Sequence, residues 1–471
     1  MKLFAPELWV LTGCLILFGV SLFKVSSRTV KLWVGFIALI NIVVTSLTLF
    51  QEGPLFFNAY QIDLFSQLFK LLVAVGLGVV VLLGNEFPGI EKEVKAEYYL
   101  FMLLSSLGLM MVVSCVELLS LFIALELSSF ALYLMVPMRD DRSGVRSQME
   151  SAAKYILFGV MATGIMLFGM SYLFGLTGTT YLGELLPRLH SIADQPAAVV
   201  GITMVLAGFF FKLGLFPFHF WLPDVYQGAT NETTAFIASV PKLAAVALLI
   251  RVSALYLPEG QTASLLLGGL AVFSMFYGNL LALVQKDIKR MLGFSGIAHA
   301  GYVMLGILVL GETGYATSVF YIVAYLVMNL ACFLVICNVA GKGENLQIDD
   351  LTGLYQRAPL LALILGISMF ALAGIPPFAG FMGKFMLLTG ALKQGYLAVV
   401  IMAAINTAIS IYYYLSVVRV AYCSAADEVT PVPVSPLIKM AGVMLVLIIL
   451  VMGIVPSTFL NMATQAIRTI L

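Results

Sequence analysis

Apolar residues in this chain come in long unbroken runs, not in alternation. A membrane-spanning helix needs about 20 mostly apolar residues. Fourteen runs approach or exceed that length: 8–23, 32–51, 63–84, 97–114, 116–138, 149–175, 197–226, 233–256, 262–284, 290–311, 314–340, 360–393, 396–422 and 437–461. Two of them are unusually long and hold prolines midway, Pro217 and Pro223 in the seventh and Pro376 and Pro377 in the twelfth. Proline removes a backbone donor and clashes with the preceding turn, so each reads as a helix broken inside the membrane. The expected fold is an all-α polytopic membrane protein of about fourteen transmembrane helices, with helices 7 and 12 broken.

The two broken segments are alike. One reads FKLGLFPFHFWLP (211–223) and the other LAGIPPFAGFMGKF (372–385). Each places a lysine beside a Gly/Pro break, and they lie five spans apart, so they enter the membrane from opposite sides. Paired broken helices in inverted repeats are a pointer to an ion path. The pattern divides the chain into an N-terminal three-helix segment (1–96), a first repeat of spans 4–8 (97–258), an inverted repeat of spans 9–13 (259–424) and a last span (425–471).

Basic residues set the orientation. Loops after odd-numbered spans hold about fifteen of the 25, among them Lys24, Lys95, Arg142, Arg146, Lys286, Lys289 and Lys342. The opposite loops and termini hold about four, Lys2, Arg188, Lys393 and Arg468. The excess belongs on the cytoplasmic side, which places both termini in the periplasm and the protein in a bacterial inner membrane.

Composition narrows the chemistry. Hydrophobic residues make up 61% and charged residues 10% of the 471, against about 25% charged in soluble domains. The net charge of +1 gives no reason to expect nucleic acid as a partner. No cleavage site follows the first run, which reads as a retained helix. The five cysteines lie in or beside apolar runs with no Cys-x-x-Cys pair. A disulfide framework, a zinc site or an iron–sulfur cluster is not expected. Three histidines, His190, His219 and His299, are too few and too scattered for a two-histidine haem. Nothing resembles a phosphate loop, a nicotinamide fingerprint or a nucleophile with its base.

Six basic residues lie inside spans: Lys70, Lys154, Lys212, Lys242, Arg251 and Lys384. An ionisable residue at a helix centre costs about 2.5–3.5 kcal/mol on insertion scales. Glu126 and Lys242 are central in their spans, and Lys212 and Lys384 flank the helix breaks. Snorkelling to water is hard from mid-membrane, so these four are the expected proton-transfer residues. Lys154, a little over one turn inside the sixth span, is either a snorkelling residue paired with Glu150 on the same helix face or an intake group. His219 and His299 are either relay groups, since imidazole titrates near neutral pH, or hydrogen-bonded core residues. Lys70, Arg251 and Glu117, nearer span ends, read as structural. Asp224 reads as a local cap or pair. Burial disfavours the charged form of an amine. A carboxylate about 4 Å away favours it by about 4 kcal/mol at an effective dielectric of 20. A moving or titrating carboxylate can therefore switch a lysine between holding and releasing a proton.

FKLGLFPFHFWLPDVYQGAT (211–230) resembles the signature of the antiporter-like subunits of respiratory complex I and of multisubunit cation/proton antiporters, and DVYQGA is similar to the form found in subunit N of bacterial NADH–quinone oxidoreductase. ALELSSF (124–130), ESAAKYILFG (150–159), GNLLALVQKDIKRMLGFSGIAHAGY (278–302), LAGIPPFAGFMGKF and IYYYLSVVR (411–419) match that family in order. The likeness covers roughly residues 60–420. It implies fourteen spans in two inverted five-helix repeats. It also implies no cofactor in this chain, with NADH, flavin, iron–sulfur clusters and quinone handled by other subunits. The expected partners are other membrane-arm subunits, the bilayer and protons, and the implied activity is a share in proton translocation. A subunit of a sodium/proton antiporter is the alternative. The resemblance assigns Glu126, Lys154, Lys212, Lys242 and Lys384 to the family's charged positions on helices 5, 6, 7, 8 and 12. The chain departs from it at ATNET (229–233), where many relatives carry a proline-rich stretch; Glu232 there is an extra acid with no assigned role.

Overall fold

The computed structural model describes residues 2–23, 25–84, 87–140, 147–192, 195–256, 261–424 and 430–471. Lys24, Arg142 and Arg146, used above for orientation, lie outside them. Every one of the fourteen apolar runs contains a helix or a pair of half-helices. α1 (Ala5–Ser21) and α2 (Ser27–Leu47) lead into a short antiparallel hairpin, β1 (Gly53–Leu55) and β2 (Tyr60–Ile62). Then come α3 (Leu64–Leu82), α4 (Lys95–Val112), α5 (Leu118–Met135), α6 (Ser147–Thr177) and a short amphipathic α7 (Leu182–His190). The seventh run is split into α8 (Pro196–Leu213) and α9 (Trp221–Gly228). α10 (Asn231–Tyr256), α11 (Gln261–Ala282), α12 (Ile288–Leu308) and α13 (Glu312–Val339) follow, then one short turn, α14 (Leu354–Arg357). The twelfth run is split into α15 (Pro359–Ala373) and α16 (Ala379–Lys393), and α17 (Leu397–Cys423), α18 (Pro436–Ile454) and α19 (Pro456–Arg468) complete the chain. Twelve helices among the described residues are long and apolar enough to cross a membrane. α4 and the split twelfth run make up the fourteen.

Two boundaries and two short elements differ from the sequence reading. The second span begins at Ser27, not 32, because Ser26 caps it, its hydroxyl accepting from the Thr29 amide at 3.2 Å. The last run stops at Ile454: Pro456 supplies no amide for a continuing helix, and α19 leaves as a separate amphipathic helix. The hairpin and α7 were not anticipated, since each is too short to leave a periodic signal.

Helices that are hydrophobic on all sides belong inside a bundle. α10, α12 and α13 do, with 94%, 100% and 94% of their apolar windows buried. The outer helices present one face to lipid. Both half-helix pairs are built alike. α8 ends at Gly214 (φ 75°) and α15 at Gly374 (φ 88°), in the left-handed region that only glycine enters cheaply.

Loop contacts sort the bundle into two ends. At one end Lys31 donates to the Gly84 carbonyl, Ile90 bridges Arg139, Arg139 donates to the carbonyls of residues 227–229 and of Gly343, and the Ile288 amide meets the Leu346 carbonyl. At the other, the hairpin residue Gln61 bonds Ser114, Leu118 bonds Thr180, and Arg188 donates to Thr177. The lysine-rich loops share the first end. Two of the basic residues assigned to them, Lys95 and Lys289, are buried within helices.

Candidate functional site

The charges fall along the buried middle of the bundle. α4 and α5 approach closely because residue 108 is glycine. A Cβ there would stand 2.6 Å from the Ser128 backbone nitrogen, and the Ser105 and Ser128 hydroxyls meet at 2.9 Å. α5 carries Glu126 and, one turn on, Ser129. Lys212, in the last turn of α8 just before the break, donates to the Ser129 hydroxyl at 2.5 Å and lies 5.6 Å from the centroid of the Tyr133 ring. Glu126 is half-buried, and its Oε1 has no hydrogen-bond partner among the described residues. Glu126 and Lys212 thus interact electrostatically, with no direct ion pair between them among the described residues.

Lys242 follows Pro241 within α10 and is 2% exposed. Its Nζ donates to the Gly296 carbonyl of α12 at 3.1 Å and reaches the Tyr325 hydroxyl of α13 at 3.4 Å. One turn beyond Gly296, His299 takes up both ring nitrogens: Nδ1 pairs with the Tyr321 hydroxyl at 2.7 Å and Nε2 with the Tyr414 hydroxyl at 3.0 Å. Tyr414 in turn contacts the Ser295 hydroxyl. Lys384, on α16, donates to the carbonyls of Leu372 and Ala373, each at 3.1 Å. These are last-turn carbonyls of α15, which the break leaves without helical donors; the negative end of that helix favours a cation. The Lys384 ammonium also lies 4.8 Å from the Tyr302 ring centroid, within cation–π range. Tyr302 donates to the Ala403 carbonyl at 3.0 Å.

The other expected site residues are placed differently. Lys154 is 38% exposed and pairs with Glu150 at 2.7 Å, as their spacing implied, and with Asp224 at 2.7 Å. Asp224 also binds Arg290 at 2.5 Å. His219 is fully buried among Phe216, Phe220 and Tyr277, and neither ring nitrogen has a partner among the described residues. Lys70 forms a fully buried ion pair with Glu7 at 2.6 Å, and Arg251 pairs with Asp63 at 2.9 Å. Glu117 caps α5. Among the described residues no three His, Cys, Asp or Glu side chains converge on a point.

Sequence reasoning missed the hydroxyl partners Ser129, Tyr321, Tyr325 and Tyr414, because 20 tyrosines among 33 phenylalanines look like packing. The i,i+4 spacing of Tyr321 and Tyr325, which puts both on one face of α13, was the available signal. Glu7 was missed because it precedes the first apolar run.

A bundle of apolar helices with two interior breaks and a file of buried amines is the architecture of an ion-translocating membrane protein. Residues 115–410 match the family described as "NADH:quinone oxidoreductase/Mrp antiporter, TM". The chain is 48% identical to "NADH-quinone oxidoreductase subunit N 2" of Opitutus terrae over 99% of its length and 98% of the relative's. It is 46% identical to the protein of the same description in Solidesulfovibrio magneticus, over 98% and 97%. Its fold matches a chain of respiratory complex I from Thermus thermophilus with bound aureothin, at a TM-score of 0.83 and 30% identity over 98% of this chain and 99% of that one. The chain belongs to the NADH:quinone oxidoreductase/Mrp antiporter family of membrane proteins.

Proposed function

We propose that this chain is a proton-translocating membrane-arm subunit of a redox-driven NADH:quinone oxidoreductase, of the subunit N type. Protons move along Glu126, Lys212, Lys242, His299 and Lys384, while NADH oxidation and quinone reduction belong to partner subunits. The observation that carries this reading is the file of contacts Lys242–Tyr325, Tyr325–His299, His299–Tyr321 and Lys384–Tyr302 through the fully buried centre of the bundle. Hydroxyl and imidazole groups both donate and accept; Lys242–Tyr325 and His299–Tyr321 are hydrogen bonds, while Tyr325–His299 and Lys384–Tyr302 are ring contacts that a proton crosses only with side-chain movement or a bridging water. Lys154, tied to Asp224 at the edge, serves as an intake group, and His219 as a side relay reached only when the packing opens. Relatives named for the oxidoreductase favour this reading over a sodium/proton antiporter subunit.

The two-repeat organisation, spans 4–8 and 9–13, is part of the same proposal. Glu117 caps α5 and its backbone bridges Tyr181; Asp287 caps α12 and bridges Gln347. Gly108 admits α5 against α4 as Gly278 admits α12 against α11. With the basic loops on the cytoplasmic side of an inner membrane, both termini are periplasmic.

Lys→Arg exchange tests the function. Arginine keeps the charge and stays protonated. Proton carriers therefore fail when Lys242 and Lys384 become arginine, nearly as badly as with alanine, while the complex still assembles. Proton uptake by vesicles, normalised to assembled complex, is the measurement. Full uptake in the double Lys242→Arg, Lys384→Arg variant would make these lysines structural counter-ions.

A further inference from the structure

Glu232 stands in the first turn of α10 and is 1% exposed, yet its Oε2 has no hydrogen-bond partner among the described residues. Burying a polar group unpaired is costly. Groups on four helices interact with it electrostatically: Lys31 from α2, Lys95 and Tyr98 from α4, Lys289 from α12 and Cys337 from α13. Lys289, fully buried, directs its ammonium at the Ala229 carbonyl, at 2.7 Å. Hydroxyls flank the carboxylate, Tyr98 with Thr233 at 3.0 Å and Thr233 with Thr230 at 2.7 Å. Asn231, beside it, donates to the Glu344 carbonyl at 3.1 Å, which puts Glu232 at the end of the bundle that carries the basic loops.

Inward from there, beyond an apolar turn at Ala235 and Phe236, two polar pairs lie between α10 and α13. Ser239, two turns on from Glu232, accepts from Asn329 at 3.2 Å. Lys242, three residues further, meets Tyr325, one turn from Asn329 on α13, at 3.4 Å. Residues descend on α13 as they rise on α10, so the pairs stack in order along one interface. Glu232 and Lys242 are ten residues apart, roughly 15 Å along the helix, with the Ser239–Asn329 pair between them.

We propose that Glu232 is the proton-loading carboxylate of this axis. It binds a proton from water at the basic-loop end and passes it along the α10–α13 interface to the Lys242 amine. The carboxylate left behind is reloaded from the same side. The inference rests on the proton-translocation reading above.

The test uses the assembled complex in vesicles and follows proton uptake across a range of pH on the loading side. Glu232→Gln is expected to slow uptake several-fold and to steepen its fall as that pH rises, because reloading then depends on water alone. Glu232→Asp restores part of the rate. Asn329→Leu, which breaks the Ser239–Asn329 pair and touches neither end, slows uptake likewise and serves if Glu232→Gln fails to assemble. A simple counter-ion would behave otherwise: Lys289→Gln added to Glu232→Gln would restore uptake. That restoration overturns the proposal. So does an unchanged rate and pH profile in Glu232→Gln, or an unchanged rate in Asn329→Leu. In each case Lys242→Ala remains impaired if the proton-translocation reading stands, and full uptake in Lys242→Ala overturns that reading itself.

Discussion

Gly296 leaves room for the Lys242 amine: a Cβ on residue 296 would stand 2.7 Å from Lys242 Nζ and 3.0 Å from the Tyr325 hydroxyl. The ammonium tip is flexible and can move aside, so Gly296→Ala should cost little stability, of order 1 kcal/mol. It should nevertheless drive the amine off the Gly296 carbonyl and out of register with Tyr325. The expected outcome is normal assembly with proton uptake reduced several-fold. Normal uptake in an assembled Gly296→Ala complex would show that the position of Lys242 is not critical.

The Lys70–Glu7 pair gives the opposite pattern. Both side chains are fully buried, and Tyr60 donates to the same carboxylate at 2.6 Å. Removing one partner strands the other charge, at a cost of about 3–5 kcal/mol. Glu7→Gln should lower assembled complex and its thermal stability. Replacing both, Glu7→Leu with Lys70→Met, should recover most of the loss without changing pumping per assembled complex. A double variant that assembles but does not pump would move this pair into the proton path.

At the Lys154–Asp224–Arg290 cluster the groups are 24–38% exposed, and single exposed ion pairs contribute about 0–1 kcal/mol. Lys154→Gln should leave assembly intact and reduce uptake less than Lys242→Ala does. Asp224→Asn should have the larger effect of the two, because it releases both Lys154 and Arg290, which hold α9 to α6 and α12. Raised salt should mimic part of the Lys154→Gln effect. Vesicle assays at low and high ionic strength check this.

Orientation can be read with reporter fusions. Fusions at Lys286 and Lys342, both exposed at the basic-loop end, should report the cytoplasm. Fusions at Arg188 and after Leu471 should report the periplasm. All four on one side would break the fourteen-span topology.

Much of this was legible in the chain. A run of 20 apolar residues has few alternatives to a membrane helix, because backbone amides in lipid must bond within the segment. The breaks were legible for a similar reason: proline and glycine act locally, and Gly214 and Gly374 end their half-helices where Pro217 and Pro376 follow. The depth of Lys212, Lys242 and Lys384 followed from their place within a span. Their pairing did not. Lys289 looked like a loop lysine from its neighbours Lys286 and Arg290, and only the packing of α12 against residue 229 buries it.

The sequence by itself determined the long apolar helices, where two of them break, and the depth of Lys212, Lys242 and Lys384. Each of these depends on a residue and its near neighbours. Tertiary structure alone decided which partner each charge meets. Lys70 finds Glu7 across 63 residues, Lys212 finds Ser129 and not Glu126 directly, and Lys242 finds the backbone of Gly296 and the hydroxyl of Tyr325. Those contacts depend on how α1, α5, α12 and α13 pack, and packing among uniformly apolar helices is set by side-chain shape and small-residue gaps such as Gly108 and Gly296. Hydrophobic pattern carries no record of that fit, so the line of charges was visible in the sequence while its connections were not.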